Sequence, residues 1–276
     1  MDKEYTGSAQ YIVSPELQRC VRVAMAMGKP LLVKGEPGTG KTMLAESVSQ
    51  AMGMPLYRWN IKSTTKAQEG LYHYDTVQRL YDSQFGGTHV EDIRHYIKLG
   101  PLGQALKSPQ QTVLLIDEID KADLEFPNDL LWELDRMEFY IPETGDTIRA
   151  NYRPVVIITS NSEKELPDAF LRRCMFHYIA FPEPEEMNRI VRTHFPELDH
   201  VLLEKAMELF YRLRRIPDLQ KKPGTSELLD WLQALEIGGI EPEELDFLPI
   251  PGMLIKKQED MELLQRQDMG NRRHIR

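Results

Sequence analysis

The chain has 276 residues, 41% hydrophobic and 28% charged, with a formal net charge of −9 and a pI near 5.4. This is a globular composition, and its acidic balance argues against a dominant surface for nucleic acid or anionic membrane. Two distant cysteines, Cys20 and Cys174, exclude a disulfide framework and a cysteine zinc site.

Met1 to Tyr5 holds no apolar leader, and no apolar run approaches the ~20 residues that span a bilayer. The expectation is a cytoplasmic, soluble protein without a membrane partner. Ser14-Pro15-Glu16 opens a helix, with Ser14 as N-cap and proline at the first helical position. Leu17, Val21 and Ala24 follow at helical spacing, and Gly28 ends the pattern. Pro30 to Lys34 reads as a short buried strand. Gly35-Glu36-Pro37-Gly38-Thr39-Gly40-Lys41-Thr42 is a complete G-x-x-x-x-G-K-[ST] loop, and Met43 to Met52 reads as the helix after it. In this strand–loop–helix setting the loop N–H groups wrap phosphates, and the helix N-terminus adds partial positive charge. Lys41 would reach the β- and γ-phosphates, and the Thr42 hydroxyl would ligate Mg²⁺. The expected ATP-binding set is Gly35, Glu36, Pro37, Gly38, Thr39, Gly40, Lys41, Thr42 and Met43.

Leu56 to Ile61 reads as a second strand. Lys62 to Gly100 is irregular, with Tyr72, Tyr74, Tyr81, Phe85, Gly86, Gly87 and His89, and suggests helical pieces with an inserted loop or hairpin. Gln104 to Lys107 continues a short helix. Thr112 to Ile116 is a near-continuous apolar strand, as parallel sheets require, and it ends in Asp117-Glu118. Pro127 to Met137 reads as one helix. A β-hairpin is expected from Phe139 to Arg149 around Glu143-Thr144-Gly145-Asp146. Pro154 to Thr159 is another buried strand, ending in Ser160-Asn161, and Ile179 to Phe181 reads as the last. Alternating strands and helices indicate a three-layer, mainly parallel α/β sheet. After Pro182-Glu183-Pro184 the chain reads as helices: Glu185 to Thr193, Asp199 to Arg214 and Ser226 to Glu236. An amphipathic stretch follows from Met253 to Gln267, then a frayed tail, Gly270 to Arg276.

A phosphate loop alone does not imply hydrolysis. Asp117 and Glu118, delivered together at the C-terminal end of an apolar strand, sharpen the reading. Alternation along a strand makes adjacent acids diverge, so Asp117 can hold Mg²⁺ while Glu118 polarises the attacking water. Asn161, a neutral donor at the same sheet edge, can bond the γ-phosphate or the water. In Asp168-Ala169-Phe170-Leu171-Arg172-Arg173-Cys174, two arginines end a short helix, and a guanidinium can stabilise transition-state charge. The seven histidines (His73, His89, His95, His177, His194, His200, His274) show no metal-ligand spacing, so the only metal expected is the Mg²⁺ of MgATP.

In this order the four elements resemble the AAA+ family of ATPases: Walker A, Walker B, a sensor-1 asparagine and a finger arginine, then a helical lid. The resemblance covers Tyr11 to about Glu236. It implies a P-loop NTPase sheet followed by a smaller all-helical lid: an ATPase α/β domain over 1–182, a lid over 183–236 and a partly helical C-terminal extension over 237–276. By the family pattern Arg173 matches the finger and Arg172 is second. The finger of the family acts on a neighbour's nucleotide, which implies a homo-oligomer, a hexameric ring. Asn60 sits where related ATPases carry a polar residue holding the catalytic glutamate. The family's lid arginine has no match: Thr225 to Trp231 has Glu227 there, and either Arg212, Arg214 or Arg215 substitutes or the lid senses nucleotide weakly, so no lid arginine is assigned.

Tyr11-Ile12-Val13, the segment from Lys62 to Leu102 and the Phe139–Arg149 hairpin look like the MoxR-type branch. That resemblance implies a chaperone-like remodelling or maturation ATPase with a VWA-domain partner and a protein client. Tyr72, Tyr74, Phe139 and Tyr140 are candidate contacts in the inserts, or core aromatics beneath them. The alternatives are a nucleic-acid motor, for which Lys62, Lys66 and Arg79 are too sparse, and an ATP-regulated scaffold, which would not need Glu118.

Overall fold

The computed structural model describes residues 4–86 and 90–273; Gly87, His89, His274 and the end of the expected frayed tail lie outside them. The chain divides into two compact units, Met1–Gly35 with Lys41–Ile179, and Glu36–Gly40 with Ala180–Arg276.

The first unit is built on five parallel strands in the order β2-β5-β8-β1-β9. They are β1 (Leu31–Gly35), β2 (Leu56–Asn60), β5 (Val113–Asp117), β8 (Val155–Ser160) and β9 (Met175–Ile179). The three central strands are buried on both faces. Leu32, Leu114, Ile116, Val156 and Ile158 join one core, while Leu31, Val33, Val113, Leu115 and Ile157 join the other. This period-two division is why the sequence runs read as unbroken apolar stretches. Helices α1 (Pro15–Met27) and α2 (Lys41–Met52) contribute Leu17, Val21, Leu44 and Val48 to the second of these cores. Ser14 caps α1 by accepting the Leu17 N–H, and Gly28 closes it in the left-handed region.

Two insertions complete the unit. The first holds α3 (Ala67–Leu71), β3 (Tyr72–Tyr74), α4 (Thr76–Phe85), a 3₁₀ turn (Ile93–Tyr96), β4 (Ile97–Leu99) and α5 (Pro101–Lys107). β3 and β4 pair antiparallel. The second, after α6 (Phe126–Asp129) and α7 (Leu131–Arg136), is the antiparallel pair β6 (Glu138–Ile141) and β7 (Asp146–Arg149). A short helix α8 (Asp168–Leu171) precedes β9.

Two sequence expectations shift. The helix expected over 127–137 is two short helices that meet at the fully buried Leu130. The last strand lies at 175–179 rather than 179–181. It is an edge strand with Phe176 and Tyr178 on its exposed face, so its alternation is masked by apolar residues on both sides.

The second unit contains α9 (Pro184–His194), α10 (His200–Arg214), α11 (Thr225–Ile237) and α12 (Gln258–Arg273). Met187, Phe210, Trp231 and Leu235 form its core, and the same cluster takes in Leu245, Leu254 and Ile255. The Trp231 indole N–H is donated to the Pro249 carbonyl at 2.8 Å, and Asp260, buried, accepts the N–H groups of Gln220 and Lys221. α12 starts at Gln258, later than the amphipathic pattern suggests, and its backbone stays helical to Arg273. Among the described residues no helix is long and apolar enough to cross a membrane.

Candidate nucleotide site

Parallel strands end together, so β1, β5 and β8 deliver Gly35, Asp117 and Ser160 to one edge of the sheet. Lys41, the first residue of α2, is buried, and its ammonium donates to the Gly35 carbonyl at 2.9 Å. The Thr42 hydroxyl donates to Asp117 Oδ1 at 2.9 Å, and the buried Thr159 hydroxyl donates to the same oxygen at 2.6 Å. Thr159 in turn accepts the Glu118 N–H at 2.8 Å. The Glu118 backbone is left-handed (φ 59°), an uncommon conformation for a non-glycine residue, and the Thr159 bond holds it there. β5 ends at Asp117, so this turn and not strand alternation separates the partners of the two acids: Thr42 and Thr159 for Asp117, Asn161 and Lys121 for Glu118.

Glu118 Oε1 accepts from Asn161 Nδ2 at 2.8 Å, and Oε2 pairs with the Lys121 ammonium. The hydrogen bond to Glu118 raises the pKa of Lys121. Asp120 is buried beneath this cluster and accepts the Asn161 N–H at 3.3 Å and the Glu163 N–H at 2.8 Å. Lys41, Thr42, Asp117, Glu118 and Asn161 are thus brought together. Asn60 is exposed and pairs in register with Asp117, while the Glu118 carboxylate is bonded by Asn161 and Lys121. Sequence reading missed Thr159, Asp120 and Lys121. The signal available for Asp120 and Lys121 was their place in Asp117-Glu118-Ile119-Asp120-Lys121, directly after the apolar strand.

Thr42 and Asp117 offer adjacent hard oxygens, a donor pair suited to Mg²⁺, which favours a hydroxyl and a carboxylate beside phosphate oxygens. Among the described residues no group of three or more His, Cys, Asp or Glu is placed to hold a metal.

The other loop residues lie in the second unit. Thr39 donates its hydroxyl to the Glu36 carbonyl at 2.8 Å. Gly38 (φ 78°) sits against the backbone of Gly224 and Thr225, where a Cβ would come within 3.3 Å. Pro37 and Gly40 complete the turn, and Met43 is half-exposed one turn into α2. Of the candidate lid arginines, Arg214 stands out. Its guanidinium lies 3.3 Å over the Phe181 ring and 2.7 Å from Glu36 Oε2, with its side chain only 10% exposed. Glu227 instead caps the start of α11, accepting the Gly224 N–H.

Arg172 and Arg173 lie elsewhere. Both line a cavity with Lys29, Pro30, Asp135 and Arg153. Arg173 Nε donates to Asp135 at 2.6 Å, and its Nη1 donates to the Ala169 carbonyl. Pro30 precedes β1 and the phosphate loop follows it, so the length of a five-residue strand, about 17 Å, separates the two places. Of the aromatic candidates, Tyr72 and Phe139 are buried and stacked on one another, with centroids 6.1 Å apart, and so are core residues. Tyr74 is half-buried and Tyr140 is exposed.

Comparison with known proteins agrees with this geometry. Residues 31–183 match the model of the ATPase family associated with various cellular activities (AAA). The chain is 30% identical over 192 residues to the uncharacterized protein YojN of Bacillus subtilis (68% of this chain, 59% of YojN). It is 23% identical over 244 residues to the Lon protease of Helicobacter pylori (80% of this chain, 27% of Lon). It is 26% identical over 200 residues to Midasin of Dictyostelium discoideum (70% of this chain, 3% of Midasin). The chain therefore spans less than two thirds of each of these relatives. The family match covers every strand of the parallel sheet, from β1 to β9, and with it the loop lysine, the paired acids and the strand-end asparagine: the chain belongs to the AAA family of ATPases.

Proposed function

We propose that the chain is the subunit of a homo-oligomeric, MoxR-type ATPase whose hydrolytic site is completed by a neighbouring copy. In this reading Lys41 and the loop N–H groups would hold the ATP phosphates, and Thr42 and Asp117 would hold Mg²⁺, whose charge would offset that of the phosphates. Glu118 polarises the water, and Asn161 orients the water or the γ-phosphate. The helical unit serves as lid. The supporting observation is the placement of Arg172 and Arg173 a strand's length from Lys41 within the same unit. Guanidinium groups so placed do not reach the nucleotide of their own chain, but they are available to one bound by a neighbour. Arg173 is the proposed finger and would exchange Asp135 for a γ-phosphate; Arg172 is second.

Work on a protein client, with a VWA-domain partner, rests on the family resemblance and on the two insertions. The exposed residues Val77, Leu80, Tyr81 and Phe85 of α4, with Tyr140 of the hairpin, offer contact surface there.

Two measurements test the proposal. Glu118→Gln should keep ATP binding and lose turnover; retained turnover removes Glu118 from the base role. Arg173→Ala and Lys41→Ala subunits, each inactive alone, should regain activity when mixed, because hybrid interfaces pair an intact loop with an intact finger. No recovery from mixtures that co-assemble refutes a shared site.

A further inference from the structure

The Glu118 carboxylate is held at two points, and only one of them belongs to the expected set. Asn161 donates to Oε1 at 2.8 Å, and the Lys121 ammonium meets Oε2. The two donors come from different segments that are stitched together. Asp120, 2% exposed, accepts from the Asn161 and Glu163 N–H groups. Lys164 donates to the carbonyls of Lys121 (3.2 Å) and Ala122 (2.8 Å). The Lys121 N–H closes a 3₁₀ turn on the Glu118 carbonyl at 3.0 Å, which places its side chain three residues on, over the carboxylate.

One donor leaves a carboxylate free to swing about the bond joining it to the side chain; a second fixes its plane. The pair does little for stability, because its side chains are 40% and 33% exposed and solvent screens the ion pair. Orientation matters far more to a general base, whose contribution of roughly 10²- to 10⁴-fold depends on alignment with the proton it takes.

We infer that Lys121 is a positioning residue for ATP hydrolysis: with Asn161 it forms a two-point clamp that aims the Glu118 carboxylate at the attacking water. The inference rests on the reading of Glu118 as the base. Lys121 touches neither nucleotide nor metal in this scheme, so its loss acts on turnover and not on ATP affinity.

The test is steady-state ATP hydrolysis by the full chain with MgATP, at one protein concentration. Lys121→Met should lower kcat by about tenfold and leave KM for ATP within about twofold. Lys121→Arg, which keeps a cation in reach of Oε2, should retain most of the wild-type kcat. An unchanged or raised kcat in Lys121→Met overturns the clamp, and so does a fall shared equally by the arginine variant. A rise in KM matching the fall in kcat/KM also overturns it, since it would assign Lys121 to substrate binding. Lys121→Gln, read beside the thermal midpoint, replaces the methionine variant if that one unfolds. Glu118→Gln separates the two claims. Retained turnover there refutes the base and the clamp together, whereas lost turnover with a normal Lys121→Met refutes the clamp alone.

Discussion

At the scale of single residues, two buried polar groups of the first unit hold the turn after β5. Asp120 and Thr159 are buried and hydrogen-bonded, and each connects that turn to the end of β8. Removing one partner of such a set leaves the others desolvated without a bond, at a cost of about 1–3 kcal/mol. Asp120→Ala should therefore lower the unfolding free energy read from urea denaturation by that amount and reduce turnover, because Asn161 loses its backbone anchor. Turnover unchanged in a destabilised variant would show that the Asp120 bonds are purely structural. Glu133 has the opposite problem, since its Oε2 is buried without a partner. Burial, with the charge of Asp129 adding to it, pushes its carboxyl above the ordinary range. Below the unfolded-state pKa the group is protonated in both states and costs nothing. As pH rises past that value the folded state resists ionisation, and the full penalty is present above the folded-state pKa. Glu133→Gln should thus raise Tm more at pH 8 than at pH 4; an equal shift at both pH values would dismiss the ionisation argument.

At the scale of elements, the first insertion is anchored by close backbone approach. A Cβ on Gly103, in α5, would lie 2.0 Å from the Leu71 carbonyl at the end of α3, and one on Gly100 would lie 2.1 Å from the Glu69 carbonyl. Both obstacles are main chain, so the helices would have to separate. Gly103→Ala should cost about 2 kcal/mol or more. Gly53→Ala, where φ is +70° but nothing lies within 4 Å, should cost only about 1 kcal/mol. Denaturant unfolding of the two variants checks this, and equal losses would rule out helix contact as the cause. The two insertions are also joined to each other. Arg94 bonds both oxygens of Asp146, and the Tyr72 hydroxyl donates to Glu143 at 2.9 Å. This explains why two of the four aromatic candidates are core residues: they fill the seam between the insertions, while the apolar face of α4 stays exposed.

For the whole molecule, an ATPase that binds nucleotide through Lys41 gains stability by mass action. At a hundredfold excess over Kd, MgATP should add about 2.7 kcal/mol to the unfolding free energy. Lys41→Ala should erase most of that gain, measured against the variant's own nucleotide-free midpoint. A full nucleotide-induced shift in Lys41→Ala would remove the lysine from the phosphate contact. Assembly belongs to this scale as well. The elution position should depend on protein concentration and on MgATP, and a monomer at every concentration tested would contradict a shared site.

The sequence by itself determined the phosphate loop, the acid pair, the strand-end asparagine and the α/β order. Each of these is a local pattern: a turn that demands glycine, or an apolar strand that ends in polar residues. The edge strand β9 was not legible because it carries apolar residues on its exposed face, and the break at Leu130 falls inside an uninterrupted helical spacing of Phe126, Leu130 and Leu134. Only tertiary structure decided which groups hold Glu118. Family resemblance points to Asn60 and not to Lys121, but the folded turn after β5, with Glu118 in the left-handed region, brings the carboxylate to Lys121 and Asn161. The same holds for the arginines, whose distance from Lys41 along β1 follows from strand direction and not from any motif.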